Sequence, residues 1–110
     1  MSRMKGRMEE DFNAMFVESI GEGLAVVLGV ESAKALTFML DPHIAVADPD
    51  IYVVSVTKLL GTETGTEVLF ATILDNLRRK TGVPKGSGKS FGDAVADNRR
   101  KFQQRNQIKT

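Results

Sequence analysis

The sequence predicts an all-α protein: a compact bundle of about four helices carrying a flexible basic extension at its C-terminus. Three observations predict it. Apolar residues recur at spacings of three and four in four successive stretches, the period of a helix with one buried face. Gly29, Asp41-Pro42, Asp48-Pro49, Gly61 and Gly82 stand at the ends of those stretches, where helix stops and caps need such residues. The charge then changes sign near Arg78. Residues 8–77 hold two lysines against twelve acids, a net of −10. Residues 78–110 hold ten Lys or Arg against Asp93 and Asp97, a net of +8, and residues 1–7 add +3. The overall charge of +1 therefore hides an acidic body with two basic arms, a pattern of partner recognition, of self-association, or of arms lying on their own body.

The chain has 110 residues, 42% of them apolar, which suits one domain with a modest core. It contains no cysteine, so disulfides and thiolate metal sites are excluded. No apolar run approaches the roughly 20 residues of a membrane span. Arg3, Lys5 and Arg7 are followed by Glu9-Glu10-Asp11, where a signal peptide would be apolar. A soluble, cytoplasmic protein that is neither exported nor inserted in a membrane is expected.

Residues 1–7 are expected to be a flexible basic arm, and residues 8–82 the helical domain. The first helix, 8–28, gathers Phe16, Val17, Ile20, Leu24, Val27 and Leu28 within about 120° of its circumference. Gly21 and Gly23 weaken it by about 1 kcal/mol each relative to alanine; close packing on a crossing helix explains them. The second helix, 31–40, turns Ala33, Leu36, Met39 and Leu40 inward and ends before Pro42, because the residue before a proline leaves the helical region. His43-Ile44-Ala45-Val46-Ala47 reads as a connector.

Asp48 as N-cap and Pro49 at the first position start the third helix, 50–60. Its run Ile51-Tyr52-Val53-Val54-Ser55-Val56-Thr57 favours a strand by propensity. Helical spacing nevertheless collects Tyr52, Val53, Val56, Leu59 and Leu60 on one sector, with Gly61 as the stop. The alternative is a small β-hairpin wing at 44–54; a lone two-stranded ribbon is marginal. In the fourth helix, 62–81, Leu69, Phe70, Ile73, Leu74 and Leu77 fall within about 140° of one another. Thr62 or Thr64 can cap it, and Arg78-Arg79-Lys80 suits its negative C-terminal end. Gly82 stops it. The expected core is Phe16, Ile20, Leu24, Val27, Leu28, Leu36, Leu40, Leu59, Leu60, Leu69, Ile73 and Leu77.

Residues 83–110 read as a basic linker and tail. Val83-Pro84-Lys85-Gly86-Ser87-Gly88-Lys89-Ser90 is linker chemistry. Phe91, Val95 and Phe102 form a sparse helical stripe in a segment too polar to fold alone, suited to ordering against an acidic, grooved partner.

Catalytic constellations fail on spacing. Gly86-Ser87-Gly88-Lys89-Ser90 is not a phosphate loop, because the pattern places a glycine at position 83, which is Val83. His43 has no companion histidine or cysteine, and Asp41 and Asp48 are explained as helix boundaries. Ser19, Ser32 and Ser55 lack a glycine-rich nucleophile turn. No catalytic residue, cofactor or metal site is expected, and the chain is read as not an enzyme.

Phe16-Val17-Glu18-Ser19-Ile20-Gly21-Glu22-Gly23-Leu24, the Leu28-Gly29-Val30-Glu31-Ser32 junction, Asp48-Pro49-Asp50, Leu59-Leu60-Gly61 and Ile73-Leu74-Asp75-Asn76-Leu77 together resemble a small archaeal helical family. It is the Nitrososphaera output domain family, and the resemblance covers residues 12–82. It implies an all-helical, non-enzymatic signalling or interaction module, with no catalytic residues to carry over. The basic tail lies outside it.

The expected function is a small regulatory or accessory protein docking on a larger protein assembly, with the bundle as platform and the tail as clamp. The partner-binding residues would be Arg78, Arg79, Lys80, Lys85, Lys89, Phe91, Val95, Arg99, Arg100, Lys101, Phe102 and Arg105. The phenylalanines and the valine would anchor, and the cations would steer and pair with carboxylates or phosphates. The alternative is a nucleic-acid-binding protein, dimeric or not, using the basic arms, with Phe91 and Phe102 stacking on bases. A homo-oligomer built by tail-to-body contacts is the third reading.

Overall fold

Six helices follow one another in the computed structural model, which describes the backbone of residues 2–61, 63–86 and 90–108 and the side chains of 9–61, 65–86 and 90–105. They are α1 (Ser2–Leu28), α2 (Val30–Met39), α3 (His43–Ala47), α4 (Pro49–Leu60), α5 (Glu63–Thr81) and α6 (Phe91–Ile108). The described residues contain no strand, so the fold is all-α.

α1 is the spine. Phe12, Phe16, Ile20 and Leu24, four residues apart, form one fully buried stripe along it. Its 27 residues span about 40 Å at 1.5 Å each and account for the 45 Å long axis of the molecule. α5 lies along α1 and contributes Leu69, Ile73 and Leu77, all buried. The two helices come close at Gly23, where a Cβ would stand 2.6 Å from Ile73 Cγ1. The close-packing reading therefore holds for Gly23. It does not hold for Gly21, whose Cβ would meet nothing within 4 Å.

α4 packs on α3, α5 and α6, and buries Tyr52 and Val56. The β-branched run is helical because its start is capped and its inner face is covered. Asp48 accepts from the Ile51 N–H at 3.2 Å, and Pro49 occupies the first turn. The hairpin alternative is thereby corrected: residues 44–47 belong to α3 and residues 51–54 to α4. Gly61 and Gly82 take φ of +70° and +73°. Their N–H groups close α4 and α5 on the carbonyls of Thr57 and Arg78, each at 2.8 Å, as the stop reading requires.

The largest departure from expectation is the C-terminus. The flexible tail is instead α6, a helix packed on α1, α4 and α5. Val95 is fully buried, and Phe91 and Phe102 join the core. Six of the seven aromatic rings form one connected cluster across four helices. Phe70 contacts Phe91 at 4.8 Å and Tyr52 at 6.2 Å between centroids. Phe16 contacts Phe91 at 6.0 Å, and Phe12 contacts Phe16 at 6.2 Å and Phe102 at 6.1 Å. The stripe is too sparse to fold alone, but the chain supplies its own groove for it, assembled from three distant helices. The Asp50 carboxylate on α4 accepts the Gly92 N–H at 2.9 Å and so caps α6 from another element, where a helix N-terminus favours negative charge.

Smaller differences have similar causes. The arm expected at residues 1–7 continues α1 back to Ser2, because Met, Lys and Arg extend an existing helix readily. The connector at 43–47 is the short helix α3. Leu59, expected in the core, is 49% exposed although it lies on the same side of α4 as Tyr52; it stands two turns beyond that buried ring, in the last turn of the helix. Val27, Leu28, Leu40 and Leu60 are half-buried beside the core. Met39 faces water. Thr62 and the side chain of Thr64 lie outside the described residues.

Candidate docking surface

The expected partner-binding residues do not form a free basic clamp. Lys80, one-quarter exposed, reaches across to α1, 3.1 Å from Glu22 and 3.5 Å from Glu18. The Glu22 hydrogen bond, with the two acidic charges, holds the Lys80 ammonium above its ordinary 10.5. Arg78 pairs with Asp75 at 3.4 Å, and Arg79 donates to the side-chain carbonyl of Asn76. Arg100 and Lys101 both pair with Asp97, at 2.6 and 3.0 Å. Hydrogen bonds from Lys101 and then Arg100 hold the Asp97 carboxyl below its ordinary 3.8.

Arg99 lies over the Phe12 ring, 4.9 Å from its centroid, and donates to Asn13 at 3.4 Å. Arg105 donates to the Gly82 carbonyl at the end of α5. Phe91, Val95 and Phe102, the expected anchors, are committed to the chain's own core. Phe91 and Phe102 therefore stack on Phe70, Phe16 and Phe12 where the nucleic-acid reading needs them free for bases. Lys85 is exposed at the rim of a cleft of about 460 Å³ between α5 and α6, shared with Arg78 and Ser90. Lys89 lies outside the described residues.

The groups weighed for chemistry are accounted for locally. The His43 N–H and ring both reach Asp41, at 2.9 and 2.8 Å, in an exposed turn that opens α3. Those contacts, the backbone one first, hold the Asp41 carboxyl below 3.8. Ser19 is buried and donates to the Met15 carbonyl at 2.7 Å. The described residues contain no group of three or more His, Asp or Glu placed to hold a metal ion. Nor does any described helix have the length and apolarity to cross a membrane. Tyr52 is buried against Phe70, and its hydroxyl has no hydrogen-bond partner among the described residues. Burial, with the Asp41 charge adding to it, pushes the phenol up to about 12.

The surface that sequence reasoning missed is on α2. This helix packs on α1 and on no other helix among the described residues. Ala33 and Leu36 face α1, and the rest of the helix looks outward. Phe38 is 93% exposed, the one aromatic ring outside the cluster. It stands at the rim of a groove of about 450 Å³ between α1 and α2, with Gly21, Ala25, Val30 and Ala33 lining it. Lys34 and Thr37 are the polar residues of that lining. Val30 is itself more than half exposed. With one ammonium and one hydroxyl, the groove has the chemistry to receive apolar side chains. The legible signal was Phe38: on a 100° wheel it lies about 160° from Leu36, on the face that should carry polar residues.

Comparison of the chain with protein-family models, with curated proteins and with solved structures found no match.

Proposed function

We propose that the chain is a small, non-enzymatic docking protein that receives an amphipathic helix of a protein partner in the groove between α1 and α2. The observation that carries this is Phe38. Six rings are gathered into one cluster, and the seventh is held in water beside an apolar groove. Leaving a ring exposed forgoes about 1.5–3 kcal/mol of burial, a cost that association recovers. Helix-in-groove recognition uses this combination of an apolar cleft and a protruding anchor. A docking role is also what the family resemblance over residues 12–82 implies. In this reading the cations of α5 and α6 fasten the chain to itself first. Two at the solvent edge, Lys85 in the segment between α5 and α6 and Arg100 on α6, add electrostatic steering toward an acidic partner.

The test is a photo-crosslinking residue placed at position 38, with Phe38→Ser as the affinity control. The expected result is one predominant cross-linked protein band, and at least tenfold weaker capture of that protein by Phe38→Ser. Equal capture by the two would refute the docking surface. Because Phe38 is almost fully exposed, the substitution should change the unfolding free energy by no more than other surface changes do, about ±0.5 kcal/mol.

A further inference from the structure

We infer that the cleft between α5 and α6 is a binding site of its own, and that it takes a small organic carboxylate with a flat apolar body. It shares no lining residue with the groove between α1 and α2, so the inference goes beyond the docking reading. The cleft's floor, its cations and the segment that holds one of them point to this ligand.

The floor belongs to the aromatic cluster. Phe70 is buried and meets Phe91 edge-on at 4.8 Å between centroids. Leu74 of α5 and Ala94 of α6 widen it. An apolar space of about 150 Å³ accommodates benzene. At about 460 Å³ the cleft has room for two fused rings and a charged group. Small-ligand sites run from about 300 to 1,000 Å³ and combine apolar walls with a few polar groups that fix orientation.

The polar side chains of the lining are Arg78, Lys85, Ser90 and Asp75. Two cations against one carboxylate leave a single positive charge, which suits a monoanion. The Arg78 side chain is only 21% exposed, yet its one hydrogen bond among the described residues is to Asp75, at 3.4 Å. That carboxylate is itself 70% exposed, so the pair is weak. A guanidinium has five N–H donors in a fixed fork, and a carboxylate accepts two of them at once. Ser90 accepts the Asp93 N–H at 3.0 Å, which caps α6; its own O–H remains to donate.

Lys85 is held beside the cleft by the chain on either side of it. Arg105 donates to the Gly82 carbonyl, and Val83 is fully buried. At Gly86 a Cβ would collide with the Asp97 carboxylate, so the backbone lies directly against α6. Asp97 is already paired with Arg100 and Lys101, and Lys85 has no ion pair among the described residues. A cation positioned in advance and not neutralised by its own chain is what an incoming anion gains most from.

Amide-resolved NMR of the full chain, titrated with naphthoate to about 5 mM, tests this. The expected result is saturable shifts around Arg78, Lys85 and Phe91, with a dissociation constant at or below about 1 mM, ordinary for a ligand of this size. Naphthamide, the neutral isostere, should bind about tenfold more weakly or worse. Inorganic phosphate, which lacks the apolar body, should give no saturable shift. Arg78→Met keeps the apolar stem and should weaken naphthoate about tenfold. Lys85→Met, at an exposed position that folding does not depend on, should weaken it about threefold. The absence of saturable shifts overturns the inference, as do shifts confined to another face. Naphthamide binding as tightly as naphthoate removes the anion from it, and phosphate binding as tightly removes the apolar body; either result overturns it too.

Discussion

Gly21 and Gly23 lie two residues apart on α1 and have opposite surroundings. At Gly23 an added Cβ collides with the fully buried Ile73, and overpacking of that kind costs about 1–3 kcal/mol. That outweighs the gain of about 1 kcal/mol from alanine's helix propensity. At Gly21 the gain is unopposed within the subunit. Gly23→Ala is expected to lower the melting temperature and Gly21→Ala to raise it, as read by thermal unfolding. Both glycines look alike in the sequence. Their difference lies in a neighbour 50 residues away from one of them and absent from the other.

α6 is the element whose role changed most. Its sequence is polar, with three apolar positions spaced by four and seven, and this supports a free segment as well as a docked one. What docks it is a set of groups from elsewhere: the rings of Phe12, Phe16 and Phe70, and the carboxylate of Asp50. Burying side chains the size of Phe91, Val95 and Phe102 is worth about 1.5–3 kcal/mol each when complete. Their sum is a large share of the 5–15 kcal/mol that holds a domain folded. Truncation after Gly82 is therefore expected to abolish cooperative thermal unfolding, not merely to remove a clamp. A truncated chain with an unchanged melting curve would mean that α6 is dispensable. α4 teaches the converse. Its β-branched run argued for a strand, but local cap chemistry at Asp48-Pro49 and burial of Tyr52 and Val56 outweighed propensity, whose differences are small per residue.

For the whole molecule, the split of charge along the chain becomes a fastening across it. Lys80 ties the basic end of α5 to Glu18 and Glu22 on α1. Its pKa is raised in the folded state. The stabilisation is therefore fully present below the ordinary lysine value of 10.5 and is lost as pH rises through the higher folded value. Asp97 behaves oppositely: its depressed pKa gives stability that is present above the ordinary 3.8 and fades as pH falls through the lower folded value. Glu22→Gln is expected to lower the melting temperature at neutral pH and to flatten its alkaline fall, the variant and wild-type profiles converging as pH rises beyond 10.5. Asp97→Asn should lower it at neutral pH and flatten the acid fall, the profiles converging as pH drops below 3.8. Melting temperature followed from pH 3 to 11 checks both.

The amino-acid sequence by itself determined where most of the helices lie, because periodicity and caps are local: Asp48, Gly61, Gly82 and the stripe from Phe16 to Leu24 act through neighbours within a turn or two. Which faces meet one another was decided only by the tertiary structure, because that depends on groups brought together across the chain. Whether Phe91 is a partner's anchor or the core's own ring, and whether Phe38 is buried or bare, follows from where α6 and α2 come to rest. α6 finds three helices to cover its apolar stripe, whereas α2 finds one, and the side of α2 that holds Phe38 is left to water.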